Sequence, residues 1–449
     1  MTTTTISNLP RDLLEEVVSR VPSKCMRKVR LTCKKWNTLS KSRSFSKMRL
    51  GREASAARQG ESPMVVLMDN DLHLVSFFVN RRKPYRKHRG KLNKVEISQV
   101  FHCEGLLLCI LRDDTKVVVW NPFLGQTRRI ETRYSYGGQN GKFLNMYVYA
   151  LGYVNKKKKS LRSYKILRFF DYDVRRPGEG EKRFIWYEIY DFDSNSWKTL
   201  DVSRECYIGF NQSGVSLKGN TYFCANKLSD DNLLGSPYLV CFDYTSEKFG
   251  PLLRFPFETD DDDYVAISCV GEEKLAVLLT HNESNPYDLG VWITTKICPE
   301  EVSWSKFLRL DTTPHYPISS SCFFIDEEKK VVMGFDEDGN WKRHILSIVG
   351  EAGYLKQLFL SGNRKENTRP SPHVCSYVPS IVKIKQHEGG GGGDESKQQD
   401  KLEKRRYDEK MLRLATLEKP VVEESTQGKC FKGGKWQYFA KGKKRKRDN

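Results

Sequence analysis

The sequence predicts an α + β chain: a short helical unit at the N-terminus, an all-β propeller through the middle, and a flexible basic C-terminal tail. Three observations predict it. Apolar residues bracketed by prolines recur at helical spacing between residue 6 and about residue 50. From Met64 to about Lys385, short β-branched and aromatic runs alternate with Gly, Asn, Asp and Pro, with no long amphipathic helix among them. Beyond that, five consecutive glycines lead into a tract dominated by charge.

The N-terminal unit (1–50) opens with LPRDLLEEVVSRVP, residues 9 to 22. Pro10 suits the first helical position, where a missing N–H costs nothing, and Asp12 sits in the first turn, where negative charge is favoured. Pro22 stops the helix. Leu13, Leu14, Val17, Val18 and Val21 spread apolar surface over more than one face, yet a helix of about three turns does not stand alone in water. Something must cover its second face. Ser23 is placed to cap a following helix in which Met26, Val29 and Cys33 recur at spacings of three and four, and Trp36 and Leu39 continue the stripe. GREASAARQGES, 51–62, reads as a linker.

The β region (63–385) contains a repeat. VVVWNPFLGQT near Trp120, YEIYDFDSNSW near Asp191, LVCFDYTSEKF near Asp243, GVWITTK near Trp292 and VVMGFDEDGN near Phe335 each pair a strand with an aromatic and a polar turn. The intervals are 71, 52, 49 and 43 residues. The first is long because it holds NKKKKS and DVRRPGEGEKR; the others sit near the period of about 40–50 residues expected of propeller blades. Each blade is a twisted sheet that buries both faces against its neighbours. In the tail (386–449), the glycine run reads as a flexible tether. KQQDKLEKRRYDEKMLRLATLEK follows as a marginal, solvated helix, with charge pairs such as Asp400–Lys404 and Glu409–Arg413. The remainder reads as largely disordered.

The 38% hydrophobic content suffices for a packed core, and the formal charge of +20 favours acidic partner surfaces. MTTTTISNLP lacks the apolar stretch of a secretory signal. The longest apolar stretch, LLLCIL at 106–111, is far short of the roughly 18 residues a membrane span needs. No membrane association is expected. Twelve cysteines occur singly, without a CxxC pair, which suits reduced thiols in a nuclear or cytoplasmic protein.

A search for chemistry finds no GxSxG, P-loop, HExxH or dinucleotide fingerprint, so no catalytic residue, cofactor or metal site is expected. His102 and Cys103 with Cys109, and His373 with Cys375, come nearest to metal ligands, but neither group reaches four at useful spacing, and such strand residues more often belong to the core. The acidic run ETDDDD (258–263) reads as a solvated loop rather than a cation site. Three basic clusters remain: RRKPYRKHRGK (81–91), KKKK (156–159) and KKRKR (443–447). The first two read as exposed loops. Lys443, Lys444, Arg445, Lys446 and Arg447 form a terminal nuclear-import signal, with a nucleic-acid contact or a solvating tail as the other readings.

NLPRDLLEEVVSRVPSKCMRKVRLTCKKWNTLSKSRSF resembles an F-box, the helical module by which receptor subunits dock on the Skp adaptor of SCF ubiquitin ligases. The resemblance covers Leu9 and Pro10, the first helix, Val21-Pro22, Met26, Val29, the TCKKW segment and Phe45. HCEGLLLCIL, VVVWNPFLGQTRRI, YALGY, SYKILRF, YEIYDFDSNSWKTLD, GVSLKGNTYF, FDYTSEKFGPLLRFPF, VSWSKFL, FFIDEEKKVVMGFD and SYVPSIV stand in the order of the F-box-associated domain of a large plant family. The resemblance implies a kelch-like propeller of about six blades, although the doubled glycines of kelch repeats are mostly missing.

It also implies a non-catalytic substrate receptor. The F-box would engage a Skp-type adaptor and, through it, cullin and RING subunits, while the propeller holds an unidentified protein target. The implied adaptor-binding set is Leu9, Pro10, Leu13, Leu14, Val17, Val21, Pro22 and Met26. Val29, Cys33 and Trp36 either dock or hold the helices together. The competing reading is a basic nuclear nucleic-acid-binding protein in which the helical module is only structural. A propeller enzyme ranks last, because no convergent acid, base or metal set can be named.

Overall fold

A computed structural model describes residues 9–21, 25–32, 34–40, 42–58, 61–68, 71–78, 85–92, 95–134, 147–156 and 162–176. It further describes 179–202, 206–209, 213–228, 234–259, 263–280, 287–312, 323–338, 343–350, 354–360, 373–385 and 394–417.

Helix α1 spans Arg11–Ser19. Pro10 lies one position before it, and its carbonyl accepts the Leu14 N–H at 3.0 Å. Helices α2 (Met26–Thr32) and α3 (Lys34–Ser40) follow on either side of Cys33, which lies outside the described residues, as do Pro22 and Ser23. Helix α4 spans Arg43–Arg58, so the expected linker at 51–62 is instead the end of a helix and the start of the first strand. Ala54, Ala56 and Ala57 explain the difference: alanine is the best helix former, and small polar context alone does not break a helix. Ser42 caps α4, its Oγ accepting the Phe45 N–H at 3.2 Å. Leu14, Val18, Met26, Leu39 and Phe45 form the core of this unit, with Val21, Val29 and Trp36 packed around it.

Six antiparallel sheets follow. The first contains β1 (Glu61–Met68), β2 (Asp71–Phe78) and β3 (Tyr85–Leu92). The second is the meander β4 (Ile97–Cys103), β5 (Leu106–Leu111), β6 (Lys116–Asn121) and β7 (Gln126–Glu131). The third is β8 (Val148–Asn155), β9 (Arg162–Arg176), β10 (Glu179–Asp191) and β11 (Ser196–Leu200). In the fourth, β12 (Cys206–Tyr207) and β13 (Val215–Leu217) share one edge of β14 (Asn220–Leu228). There β15 (Leu234–Asp243) carries β16 (Lys248–Phe249) and β17 (Leu253–Arg254) on its far edge. The fifth is β18 (Tyr264–Val270), β19 (Lys274–Thr280), β20 (Tyr287–Cys298) and β21 (Glu301–Thr312). The sixth is β22 (Phe323–Asp326), β23 (Val331–Asp338), β24 (Arg343–Gly350) and β25 (Tyr354–Leu360).

The last strand, β26 (His373–Ser376), returns to pair with β1 and completes the first sheet. The inner strands then touch around a closed ring, β26 to β4, β8, β13, β18, β22 and back to β26. The fold is a six-bladed propeller whose first blade is built from both ends of the domain. Six apolar clusters each bridge two adjacent blades, so each sheet buries both faces as the repeat requires. Four of the sequence marks fall on third strands, but Phe335 falls on β23, the second strand of its blade. Alternating apolar residues look alike on any strand, which shifted that repeat unit by one strand.

A further difference lies in the tail. Asp394–Leu417 forms helix α5, and Tyr407, Met411 and Leu414 are buried against the cluster between the second and third blades. The helix is docked rather than solvated. Spacings of four and three align the three anchors on one face, and that stripe is short enough to be masked by the charges around it.

Candidate partner-binding surfaces

Helix α1 has two characters. Leu14 and Val18 are buried within the helical unit, whereas Leu13 and Val17 remain about half exposed, at 53% and 47%. Leu31 of α2, which the sequence reading passed over, is 79% exposed. Pro10 is exposed, and Leu9, Val21, Val29 and Trp36 are half-buried. The implied docking set therefore divides. Leu14 and Met26 belong to the unit's own core and have no surface to offer, while Leu13 and Val17 on α1, and separately Leu31 on α2, are left exposed among the described residues. Glu15 orders the inner side: it is buried and accepts hydrogen bonds from Arg11 Nε at 3.2 Å and from the Ser42 and Ser44 hydroxyls.

The helical unit is fixed to the second blade. Arg30 Nη1 donates to the Leu124 carbonyl at 2.9 Å, and the Arg49 guanidinium stands 5.1 Å from the centre of the Phe123 ring. Both partners lie in the turn between β6 and β7. In a four-stranded meander the first-to-second and third-to-fourth turns share one rim. The second-to-third turns and the links between blades share the other. The helical unit therefore occupies the first of these rims.

The chain after β26 runs along the same rim as a strap. Asn121, fully buried, donates through Nδ2 to the carbonyls of Ser380 (3.0 Å) and Val382 (2.8 Å), while its Oδ1 accepts the Leu124 N–H. Ile384 N donates to Gln126 Oε1, and Arg128 Nη1 to the Lys385 carbonyl. Gly105, at φ +80°, lets the strap pass: a Cβ there would stand 2.2 Å from that of Ser380. This is what SYVPSIV encodes.

The opposite rim carries α5. Arg133 and Tyr134 lie in the link between the second and third blades. Arg133 donates through Nε to Asp400 Oδ1 at 2.6 Å and pairs through Nη1 with Glu403 Oε2 at 2.5 Å. The Tyr407 ring stacks on Tyr134, with centres 5.0 Å apart, and meets Trp186 edge-on. Its hydroxyl shares a hydrogen bond with that of Tyr147. Burial pushes the Tyr407 hydroxyl up to about 12, so it stays protonated near neutrality.

Beneath it lies a buried ionic cluster. Arg168 Nη1 donates to Glu188 Oε1 at 2.5 Å and to the Tyr134 carbonyl at 2.6 Å, and Nε donates to the Tyr149 hydroxyl, which donates in turn to Asp114. Arg168 and Glu188 are fully buried. Burial raises the Asp114 carboxyl, while Arg168 and Tyr149 pull it back toward the charged form. A cleft of about 740 Å³ stays open beside α5, lined by Trp186, Thr199, Asp201, Arg406, Lys410 and Arg413.

The remaining candidates are structural or only partly described. His102 Nε2 accepts the Gly105 N–H at 2.8 Å, and burial pulls its imidazole down to about 4. Cys103 is buried, and burial pushes its thiol up to about 12. Among the described residues no three His, Cys, Asp or Glu side chains gather as a metal site, and no helix is long and apolar enough to cross a membrane. Tyr85–Leu92 of the first basic cluster forms β3, the outermost strand of its blade, rather than a loop; edge strands accommodate such charge. Residues 81–84, 157–159, 260–262 and 443–447 lie outside the described residues.

A helical unit with exposed apolar residues, fixed to one rim of a closed propeller, makes the chain a two-module protein. Comparison with known families gives it a place. Residues 6–48 match the model described as the F-box domain, and residues 63–384 match the F-box associated beta propeller domain. The chain belongs to the plant F-box family that carries this propeller domain. It is similar to the Arabidopsis thaliana proteins named F-box protein At2g38590 (48% identical, covering 93% of this chain and 99% of that one) and F-box/kelch-repeat protein At4g33290 (48%, 90% and 94%). Putative F-box protein At5g41500 from the same plant is 47% identical, over 93% of this chain and 99% of its own length.

Proposed function

We propose that this chain is the target-binding, non-catalytic subunit of an SCF-type E3 ubiquitin ligase. The F-box docks on a Skp-type adaptor, which carries the cullin and RING subunits, and the propeller holds a protein for ubiquitination. The observation that carries the reading is the division of α1: one face is complete within the chain, and Leu13 and Val17 on the other lack cover. Because about half of each side chain is already covered, removing the rest of the two from water is worth about 1 kcal/mol each, before the costs of association. The F-box match supplies the partner class, and the rim opposite the F-box is the surface a target reaches without meeting the adaptor.

Co-purification with a Skp-type adaptor tests the reading. Recovery of adaptor should vanish on Leu13→Ser with Val17→Ser, and undiminished binding after Leu9→Ala with Pro10→Ala would count against the entry segment as part of the contact. An F-box-defective form should accumulate bound target and fail to support its ubiquitination. The basic run at 443–447 supports a second proposal, residence in the nucleus and/or cytoplasm with these residues as a nuclear-import signal. A fluorescent fusion lacking 443–447 should lose nuclear enrichment.

A further inference from the structure

Helix α5 meets the propeller through a patterned stripe. Asp400 and Glu403 reach Arg133, Tyr407 fills an aromatic box, and Met411 and Leu414 continue along the same face. The receiving wall comes from the second and third blades: Arg133, Tyr134, Tyr147 and Trp186. Tyr, Trp and Arg are the residue types in which binding energy concentrates at protein interfaces. Of the α5 side chains described, only Tyr407, Met411 and Leu414 are buried; the rest are exposed or half-buried. The helix therefore holds on by three anchors and a handful of charge-assisted bonds. It is joined to the strap through a sequence containing five glycines at 389–393.

We propose that this groove is a docking site for an amphipathic helix of a partner protein, and that α5 is its tethered occupant when the partner is absent. The helix it accepts carries acids in its early turns, an aromatic residue four positions after the second acid, and aliphatic residues four and seven positions beyond the aromatic. Charge complementarity fixes the direction: Arg133 sits where the early turns lie and binds two carboxylates at once. The open cleft beside α5 adds Arg406, Lys410 and Arg413 from the helix itself, cations that leave with α5 when another helix replaces it. Gly-rich linkers hold a tethered segment at an effective concentration on the order of millimolar, so α5 excludes weak competitors and yields to tight ones. The inference rests on the propeller being the target-binding module, and it names what that module recognises.

The probe is a fluorescein-labelled peptide of residues 394–417, followed by anisotropy with the full chain. Against the unmodified chain, where α5 competes in cis, binding should be weak. The Met411→Ser, Leu414→Ser chain keeps the groove and loosens its occupant, and should bind the peptide at least about tenfold more tightly. Adding Arg133→Glu should remove that gain, and a peptide carrying Asp400→Lys and Glu403→Lys should restore it. A second full-chain variant, Asp400→Lys with Glu403→Lys, leaves the buried anchors intact and should also bind the unmodified peptide more tightly.

Overturning results are of two kinds. One is a double-serine chain that unfolds cooperatively near the normal temperature yet gains no peptide binding. The other is a double-serine chain that fails to fold while the charge variant gains none. Either makes α5 a fixed part of the propeller. Adaptor binding by the same chains is a separate readout: its loss would strike the ligase reading and leave the groove untouched.

Discussion

At the scale of single residues, the structure sets the most costly commitments in the third blade and the strap. Arg168 and Glu188 are fully buried and bonded to each other, so removing either partner leaves an unpaired charge out of water. Glu188→Ala should destabilise the fold by about 3–5 kcal/mol, measured by denaturant unfolding. Replacing both with apolar residues of similar volume should cost much less, which separates a structural pair from an isolated defect. His102 gives a pH signature. Its folded imidazole titrates near 4 against 6.5 for the ordinary group, so the unfolded chain binds the extra proton between those values. The stability it contributes is complete above pH 6.5 and is lost as pH falls toward 4, to a total of about 3 kcal/mol. His102→Gln keeps an acceptor for the Gly105 N–H and removes the titration; its stability should fall less over that pH interval than the unmodified chain's. Equal slopes would refute the assignment.

At the scale of elements, α1 shows what a sequence carries and what it does not. The excess of apolar residues between Pro10 and Pro22 was legible, and so was the need for outside cover. Which residues turn inward was not, because that depends on the angles at which α3 and α4 cross α1. Leu14 and Met26 went to the core, and Leu31 emerged on the surface. Two substitutions one residue apart should therefore behave oppositely. Leu14→Ala should cost about 2–5 kcal/mol of stability, whereas Leu13→Ser should leave the thermal midpoint nearly unchanged. Ser42→Ala should remove about 1 kcal/mol by uncapping α4. The alanine-rich end of α4 and the docked face of α5 escaped sequence reading for related reasons. Glycine at 51 suggested a break that helix propensity overrode. Three anchors in a charged helix give a weak periodic signal until a groove is there to receive them.

At the scale of the whole molecule, repetition was readable from five recurring aromatic turns, whereas the number of blades came only from the family resemblance and ring closure was not legible. β26 is only four residues long, and nothing local marks it as the inner strand of a blade begun some 300 residues earlier. The adjoining strap is equally non-local: Asn121 holds residues 380 and 382 through bonds that no spacing rule anticipates. Asn121→Ala should leave the half-buried Ser380 and Val382 carbonyls without their donor and destabilise by about 1–3 kcal/mol. Closure also separates the working surfaces, with the F-box at the turn between β6 and β7 and α5 on the rim facing away. On the proposed function, that separation lets an adaptor and a target be held at once. Its central requirement is that the exposed face of α1 is an adaptor contact. Calorimetric titration of a Skp-type adaptor into the full chain, and into the Leu13→Ser, Val17→Ser chain, measures this directly. The expected result is a saturable complex that weakens by about 100-fold or more in the variant, with unchanged thermal unfolding. Equal affinity for both chains, or no heat of binding with the unmodified one, would contradict the account.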